Sequence, residues 1–247
     1  MKAWAIAAAA LALAATASGA SGPRSLAAKC GDTSGVHAVP FWLRATDGVR
    51  LYAIDTGKGD VGVVLLHESP GDLCGWLPFI ADLTHAGIRA LAFDFRGYGD
   101  SGLPQSATQS LAFDRDVRAA VYRLGAEGVR KVFLVGASFG GAAALTYAPS
   151  LPLAGVVSLS GEADLPRSGL DAAAAMPHLH APLLIVGSRR DPYLPVRQAL
   201  RLLHRAGSKD KRTAFYPGAF HGWDIVEDAP YAARARALVL AWIRARS

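Results

Sequence analysis

Beyond its first twenty residues the chain has no run apolar enough to cross a membrane, no internal repeat and no low-complexity tract. It also lacks a long linker, so one domain is the economical organisation. Two cysteines in 247 residues leave room for a single bridge and exclude a disulfide-built scaffold. Charge is sparse: 19% of residues are charged, and the net +6 is scattered through Arg189-Arg190, Lys209-Asp210-Lys211-Arg212 and the C-terminal segment. Aromatics make up 9% and do not interleave with a basic stripe, so nucleic acid is not an expected partner. Nothing in the residue pattern implies a metal or an organic cofactor.

What is present begins with an export signal. Met1-Lys2 opens the chain, residues 3–17 are almost entirely Ala and Leu, and Ser18-Gly19-Ala20 supplies small residues for cleavage. The expected organisation is therefore a signal peptide over 1–20, an irregular polar arm over 21–40 and one domain over 41–247, in a secreted or periplasmic protein with no membrane span after cleavage. An oxidising destination makes a Cys30–Cys74 disulfide the favoured state of the two cysteines, with two unpaired thiols as the alternative. Closing a loop of about 45 residues would contribute on the order of 4 kcal/mol in the chain-entropy picture.

The remainder reads as alternating strands and helices. A hairpin over 42–45 and 50–55 turns at Asp47-Gly48. Apolar runs predict strands at 61–66, 88–93, 131–135, 155–160, 183–187 and 213–216. Helical periodicity predicts helices at 73–86, 111–124, 141–147, 196–206 and 230–244. Repeated βα units of this length build a mostly parallel twisted sheet with helices on both faces.

Gly136-Ala137-Ser138-Phe139-Gly140 joins one such strand to a helix of small residues. A serine on a strand-to-helix turn is held in a strained backbone with its hydroxyl outward, and the flanking glycines avoid clashes there. A hydroxyl is a weak nucleophile until an imidazole accepts its proton and a carboxylate orients that imidazole. In open α/β sheets such groups come from loops at the carboxyl ends of strands. Asp191 follows the strand ending at Gly187, and His221 follows the last strand. Asp164, beyond another strand end, is the rival acid. The other histidines considered, at 67, 85, 178, 180 and 204, read as structural or exposed.

These residues, in the order Ser138, Asp191, His221 and together with Asp94-Phe95-Arg96-Gly97-Tyr98-Gly99-Asp100-Ser101-Gly102, resemble the α/β-hydrolase family from about Trp42 onward. The resemblance implies nucleophile, acid and base at Ser138, Asp191 and His221, with Asp94 and Arg96 organising a loop. It implies an oxyanion hole made by the Phe139 amide and by the Ser69 amide in the loop Leu66-His67-Glu68-Ser69-Pro70-Gly71. Glu68 departs from the glycine many relatives carry there. The His-Glu start is similar to the dienelactone-hydrolase branch, which usually has cysteine where Ser138 stands. A carboxylate facing the oxyanion would oppose the chemistry, so Glu68 is expected to point away or to make a specific contact. About 18 residues lie between Leu165 and Pro182, too few for a full cap domain. Trp76, Phe139, Tyr193 and Trp223 are the candidate walls of an open substrate site; the same aromatics could be core. The expected activity is cleavage of small carboxylic esters through an acyl-enzyme. The alternatives are lactone, thioester or peptide cleavage, perhydrolysis, or a silent relative that only binds.

Overall fold

The computed structural model describes residues 22–247, and the expected signal peptide lies outside the described residues. The eight main strands are β1 (Phe41–Arg44), β2 (Arg50–Thr56), β3 (Val61–Leu66), β4 (Arg89–Phe93), β5 (Lys131–Ala137), β6 (Gly155–Leu159), β9 (Leu183–Ser188) and β10 (Lys211–Tyr216). The two-residue strands β7 (Asp164–Leu165) and β8 (Leu170–Asp171) form a separate small hairpin. The helices are α1 (Leu26–Cys30), α2 (Leu77–His85), α3 (Ala107–Ser110), α4 (Phe113–Ala126), α5 (Phe139–Tyr147), α6 (Ala172–Ala175), α7 (Val196–Arg205) and α8 (Ala232–Arg244).

The main sheet runs β1-β2-β4-β3-β5-β6-β9-β10. The hairpin β1-β2 and the β2-β4 pair are antiparallel, and every other pair is parallel. Its central strands are apolar on both faces because both faces are covered. In β3, Val64 and Leu66 point into the core under α4, α5 and α7, while Val63 and Leu65 point into the core under α2 and α8. Each such side chain, fully removed from water, contributes about 1.5–3 kcal/mol. Glycine closes the second layer at one point: a Cβ on Gly155 would lie 2.6 Å from the Trp242 ring of α8.

The chain leaves β3 toward β4 on one side and then crosses to β5 on the other. The strand order therefore reverses between β3 and β5, the place where open α/β sheets form a crevice at the strands' carboxyl ends. Leu66 pairs with Gly136 in register, so the loop after β3 and the turn after β5 emerge side by side.

Several local expectations change. The helix expected over 73–86 is split into a 3₁₀ turn, Leu73–Trp76, and α2, which takes Pro78 into its first turn where a missing N–H costs nothing. The helix expected from Leu111 starts at Phe113, leaving Leu111 exposed between α3 and α4. The polar arm is not irregular throughout, since Ser25 caps α1 by accepting from the Ala28 amide. Between β6 and β9 there are only the small hairpin and short helical turns, with no separate cap domain.

Candidate active site

Ser138 sits at φ 48°, ψ −115°, immediately after β5 and before α5. Only a crowded, over-determined turn holds a non-glycine residue there. The crowding can be read from the two glycines. A Cβ on Gly136 would lie 2.1 Å from the Gly140 carbonyl oxygen, and one on Gly140 would lie 2.1 Å from the Leu66 carbonyl oxygen. Both contacts are to backbone, so neither position accepts a side chain.

Ser138 Oγ lies 2.8 Å from His221 Nε2, and His221 Nδ1 lies 2.9 Å from Asp191 Oδ1. A carboxylate oxygen only accepts, so Nδ1 carries the proton and Nε2 is free to accept from the Ser138 hydroxyl. The Asp191 side chain is fully buried and that of His221 is 16% exposed. Oδ1 of Asp191 also accepts from the Tyr193 and Leu194 amides at 2.9 and 3.0 Å, and Oδ2 accepts from Ser160 Oγ at 2.5 Å. Burial pushes the Asp191 carboxyl up, but the His221 ring, these amides and the Ser160 hydroxyl outweigh it and hold the group below its ordinary value. Asp164, the rival acid, is exposed in the small hairpin, away from this network.

Phe139 is the first residue of α5, so its amide has no acceptor within the helix. Its ring is buried among Phe95, Tyr98 and Phe113 and forms no open wall. Ser69, in the loop after β3, is exposed, and its hydroxyl is 3.0 Å from the Tyr98 hydroxyl. His67 anchors that loop. Its Nε2 accepts from the Phe95 amide at 2.9 Å, so Nδ1–H donates to the Glu68 carbonyl at 2.7 Å. Burial drives the His67 ring down to about 4, which keeps it neutral.

Glu68 has a definite destination: its Oε2 accepts from the Trp223 amide at 2.9 Å and so caps the 3₁₀ turn that begins after His221. A Cβ on Gly222 would lie 1.9 Å from this oxygen and 3.3 Å from Ser138 Cβ. Burial raises the Glu68 carboxyl, opposed by the Trp223 amide and by the His221 charge. Glu162 is likewise raised by burial and feels the His221 ring.

The candidate walls separate. Trp76 is fully buried, edge-on to Trp223, and its role as a substrate wall is corrected to core. Trp223 is wedged under the loop after β3, where a Cβ on Gly71 or Gly75 would lie 2.7 Å from its ring. It therefore supports that loop and lines a separate surface cleft beside Cys74 and Leu77. Tyr193 is 61% exposed and packs edge-on against His221, ring centroids 4.7 Å apart, so of the three its ring is the one that touches the Ser138–His221–Asp191 line. Ser160 and the Glu68–Trp223 contact escape a reading of the sequence. The one local signal for Ser160 is its place at the end of a strand, in the same kind of position as Ser138.

A strand-order reversal, with a serine on a strained turn at the strands' carboxyl end hydrogen-bonded to a histidine–carboxylate pair, is the arrangement that marks the class of α/β hydrolases. A family model described as the alpha/beta hydrolase family matches residues 63–246, and the chain belongs to that family. It is similar to Epoxide hydrolase 3 of Siraitia grosvenorii, 39% identical over 95 residues that make up 38% of this chain and 29% of that protein. It is also similar to the serine hydrolase BPHL of Homo sapiens, 37% identical over 112 residues, 44% of this chain and 38% of that protein. The chain thus spans about a third of the length of these curated relatives. Among solved structures, the esterase EaEST of Exiguobacterium antarcticum superposes with a TM-score of 0.69 at 16% identity, covering 82% of this chain and 98% of that one. The monoacylglycerol lipase of Paleococcus ferrophilus gives a TM-score of 0.68 at 21% identity, covering 80% and 99%. At these identities the likeness is one of fold. Among the described residues, no helix is long and apolar enough to cross a membrane.

Proposed function

We propose that this chain is an exported serine hydrolase that cleaves small carboxylic esters through an acyl-enzyme. The observation that carries the reading is the unbroken hydrogen-bonded line from Ser138 Oγ through His221 to Asp191, at 2.8 and 2.9 Å. In the reaction, His221 Nε2 takes the hydroxyl proton as Ser138 Oγ bonds the ester carbonyl carbon. The carbonyl oxygen becomes an oxyanion facing the Phe139 and Ser69 amides. Collapse breaks the bond to the alcohol oxygen, which leaves with the proton from Nε2. Water then attacks the acyl-enzyme, with His221 again as base, and releases the acid and free Ser138. Asp191 stays ionised throughout and stabilises the charged ring, a role favoured by its lowered affinity for protons.

Export rests on the N-terminal sequence and fits the Cys30–Cys74 bridge, whose Cα atoms are 5.5 Å apart. The test is labelling with a serine-directed fluorophosphonate, located by peptide mass. The reading predicts modification at Ser138 and loss of nearly all p-nitrophenyl ester hydrolysis in folded Ser138→Ala and His221→Ala proteins. Unchanged turnover in folded Ser138→Ala protein overturns it.

A further inference from the structure

Residues 22–40 precede the region matched by the family, 63–246, yet they reach the loops behind the nucleophile. Lys29, at the end of α1, is 1% exposed at its side chain, an unusual place for an ammonium. Its Nζ lies 2.8 Å from Asp72 Oδ2 and 2.9 Å from Asp94 Oδ2, and the Asp94 side chain is fully buried. The next residue, Cys30, is bridged to Cys74. Arg24 pairs with Asp100, and its carbonyl accepts from the Tyr52 hydroxyl at 3.0 Å. Tyr52 lies in β2 itself, and the other ties land on segments that follow β3 or β4.

The geometry shows what Lys29 supports. Asp94 uses its remaining capacity on backbone: Oδ1 accepts from the Leu73 amide at 2.9 Å and Oδ2 from the Asp100 amide at 2.8 Å. Asp72 Oδ1 accepts from the Cys74 amide at 2.9 Å. Residues 72–74 come directly after the loop that carries Ser69. Gly99 leaves the ion pair its space, since a Cβ there would lie 2.2 Å from Asp94 Oδ2 and 2.9 Å from Lys29 Nζ. Without the ammonium, Asp94 would be a buried carboxylate with no cation against it, and it would either take up a proton or turn toward water. Both outcomes loosen the Leu73 amide and with it the downstream end of the Ser69 loop.

We propose that the N-terminal arm is a clamp on the oxyanion loop, with Lys29 as its positioning residue and the Cys30–Cys74 disulfide as its lock, so that full turnover requires the oxidised bridge. The inference rests on the reading of the Ser69 loop as half of the oxyanion hole. Unlocking is ordinary thiol–disulfide exchange: a dithiol attacks one sulfur, closes to its own cyclic disulfide, and passes two electrons and two protons to the protein as two thiols. Both cysteines are only partly buried, and Cys74 borders a surface cleft, so the reagent has access.

The experiment uses the mature chain in four forms: oxidised, reduced with dithiothreitol, Cys30→Ser/Cys74→Ser, and Lys29→Met. Active sites are counted by end-point fluorophosphonate labelling, and rates are expressed per labelled site. Inhibition by a trifluoromethyl ketone, whose adduct carries an oxyanion, is measured alongside. A loosened clamp lowers kcat per labelled site by about 10- to 100-fold, the usual cost of misplacing a catalytic group by an ångström, and weakens the ketone by a similar factor with KM little changed. A merely structural arm would lower the labelled fraction and leave kcat per site and ketone affinity at the oxidised value, and that result overturns the proposal. Should Lys29→Met fail to fold, the reduced and double-cysteine forms decide it. If the oxidised protein is not labelled at Ser138 at all, the reading of the active site fails instead, which is a separate outcome.

Discussion

Glu68→Gln gives the sharpest test of how charge is arranged around the site. Glutamine has the same shape, and its side-chain oxygen can go on accepting from the Trp223 amide, now made by Glu68 Oε2 at 2.9 Å. Only the negative charge is lost. That charge and the protonated His221 ring favour each other, so its removal disfavours protonation of the base. The acid limb of kcat/KM must then move to lower pH. Two unit charges held about 6 Å apart interact by about 3 kcal/mol at an effective dielectric of about 20 and by about 0.7 kcal/mol in bulk water. These limits correspond to about 2 and 0.5 pH units, and solvent at a half-buried carboxylate favours a value near the lower one. The assay is kcat/KM for p-nitrophenyl acetate from about pH 4.5 to 9, with melting temperature as a check on the fold. A limb that stays in place or moves upward in folded protein refutes the argument. Glu162→Gln should shift the limb in the same direction, since Glu162 also feels the His221 charge.

For Asp191→Asn, the amides of Tyr193 and Leu194 both need an oxygen at the position of Oδ1, so the carboxamide should present its oxygen to His221 and keep the ring's tautomer. Only charge is lost, and the drop in kcat should be about 10²–10³ rather than the roughly 10⁴ of a wrong tautomer. A loss of the larger size would mean that the amide nitrogen has turned toward the ring. Gly140→Ala places a Cβ 2.1 Å from the Leu66 carbonyl oxygen. It should cost about 3 kcal/mol and lower the melting temperature by roughly 6–12 °C, and an unchanged melt would contradict the crowding argument. Burial raises the Glu227 carboxyl to about 7, and its Oε1 has no hydrogen-bond partner. Between the ordinary value of 4.5 and about 7 the folded state binds a proton that the unfolded state does not, so this group's contribution to stability rises as pH falls through that window. Glu227→Gln should therefore stabilise the protein at pH 8 more than at pH 5, read from melting temperatures at the two values, and an equal effect at both removes the assignment.

The sequence by itself determined the layers and the positions where chemistry could be placed. Apolar runs such as Val61 to Leu66 and the periodicity around Val117 and Val121 are local signals, because burial on two faces or on one helical stripe leaves its pattern in consecutive residues. The Gly136–Gly140 turn is also legible locally, since backbone crowding admits only certain residue types. What the tertiary structure decided are meetings between residues far apart in the chain. Glu68 meets the Trp223 amide across 155 positions, and Lys29 meets Asp72 across 43. Trp76 reads the same in sequence whether it lines a pocket or fills a core, and only the packing of Trp223 and α2 against it removes it from solvent. Ser160 carries no motif, yet strand order sets the end of β6 between β5 and β9, directly beside Asp191. Such contacts depend on sheet order and loop closure, which no local run of residues records.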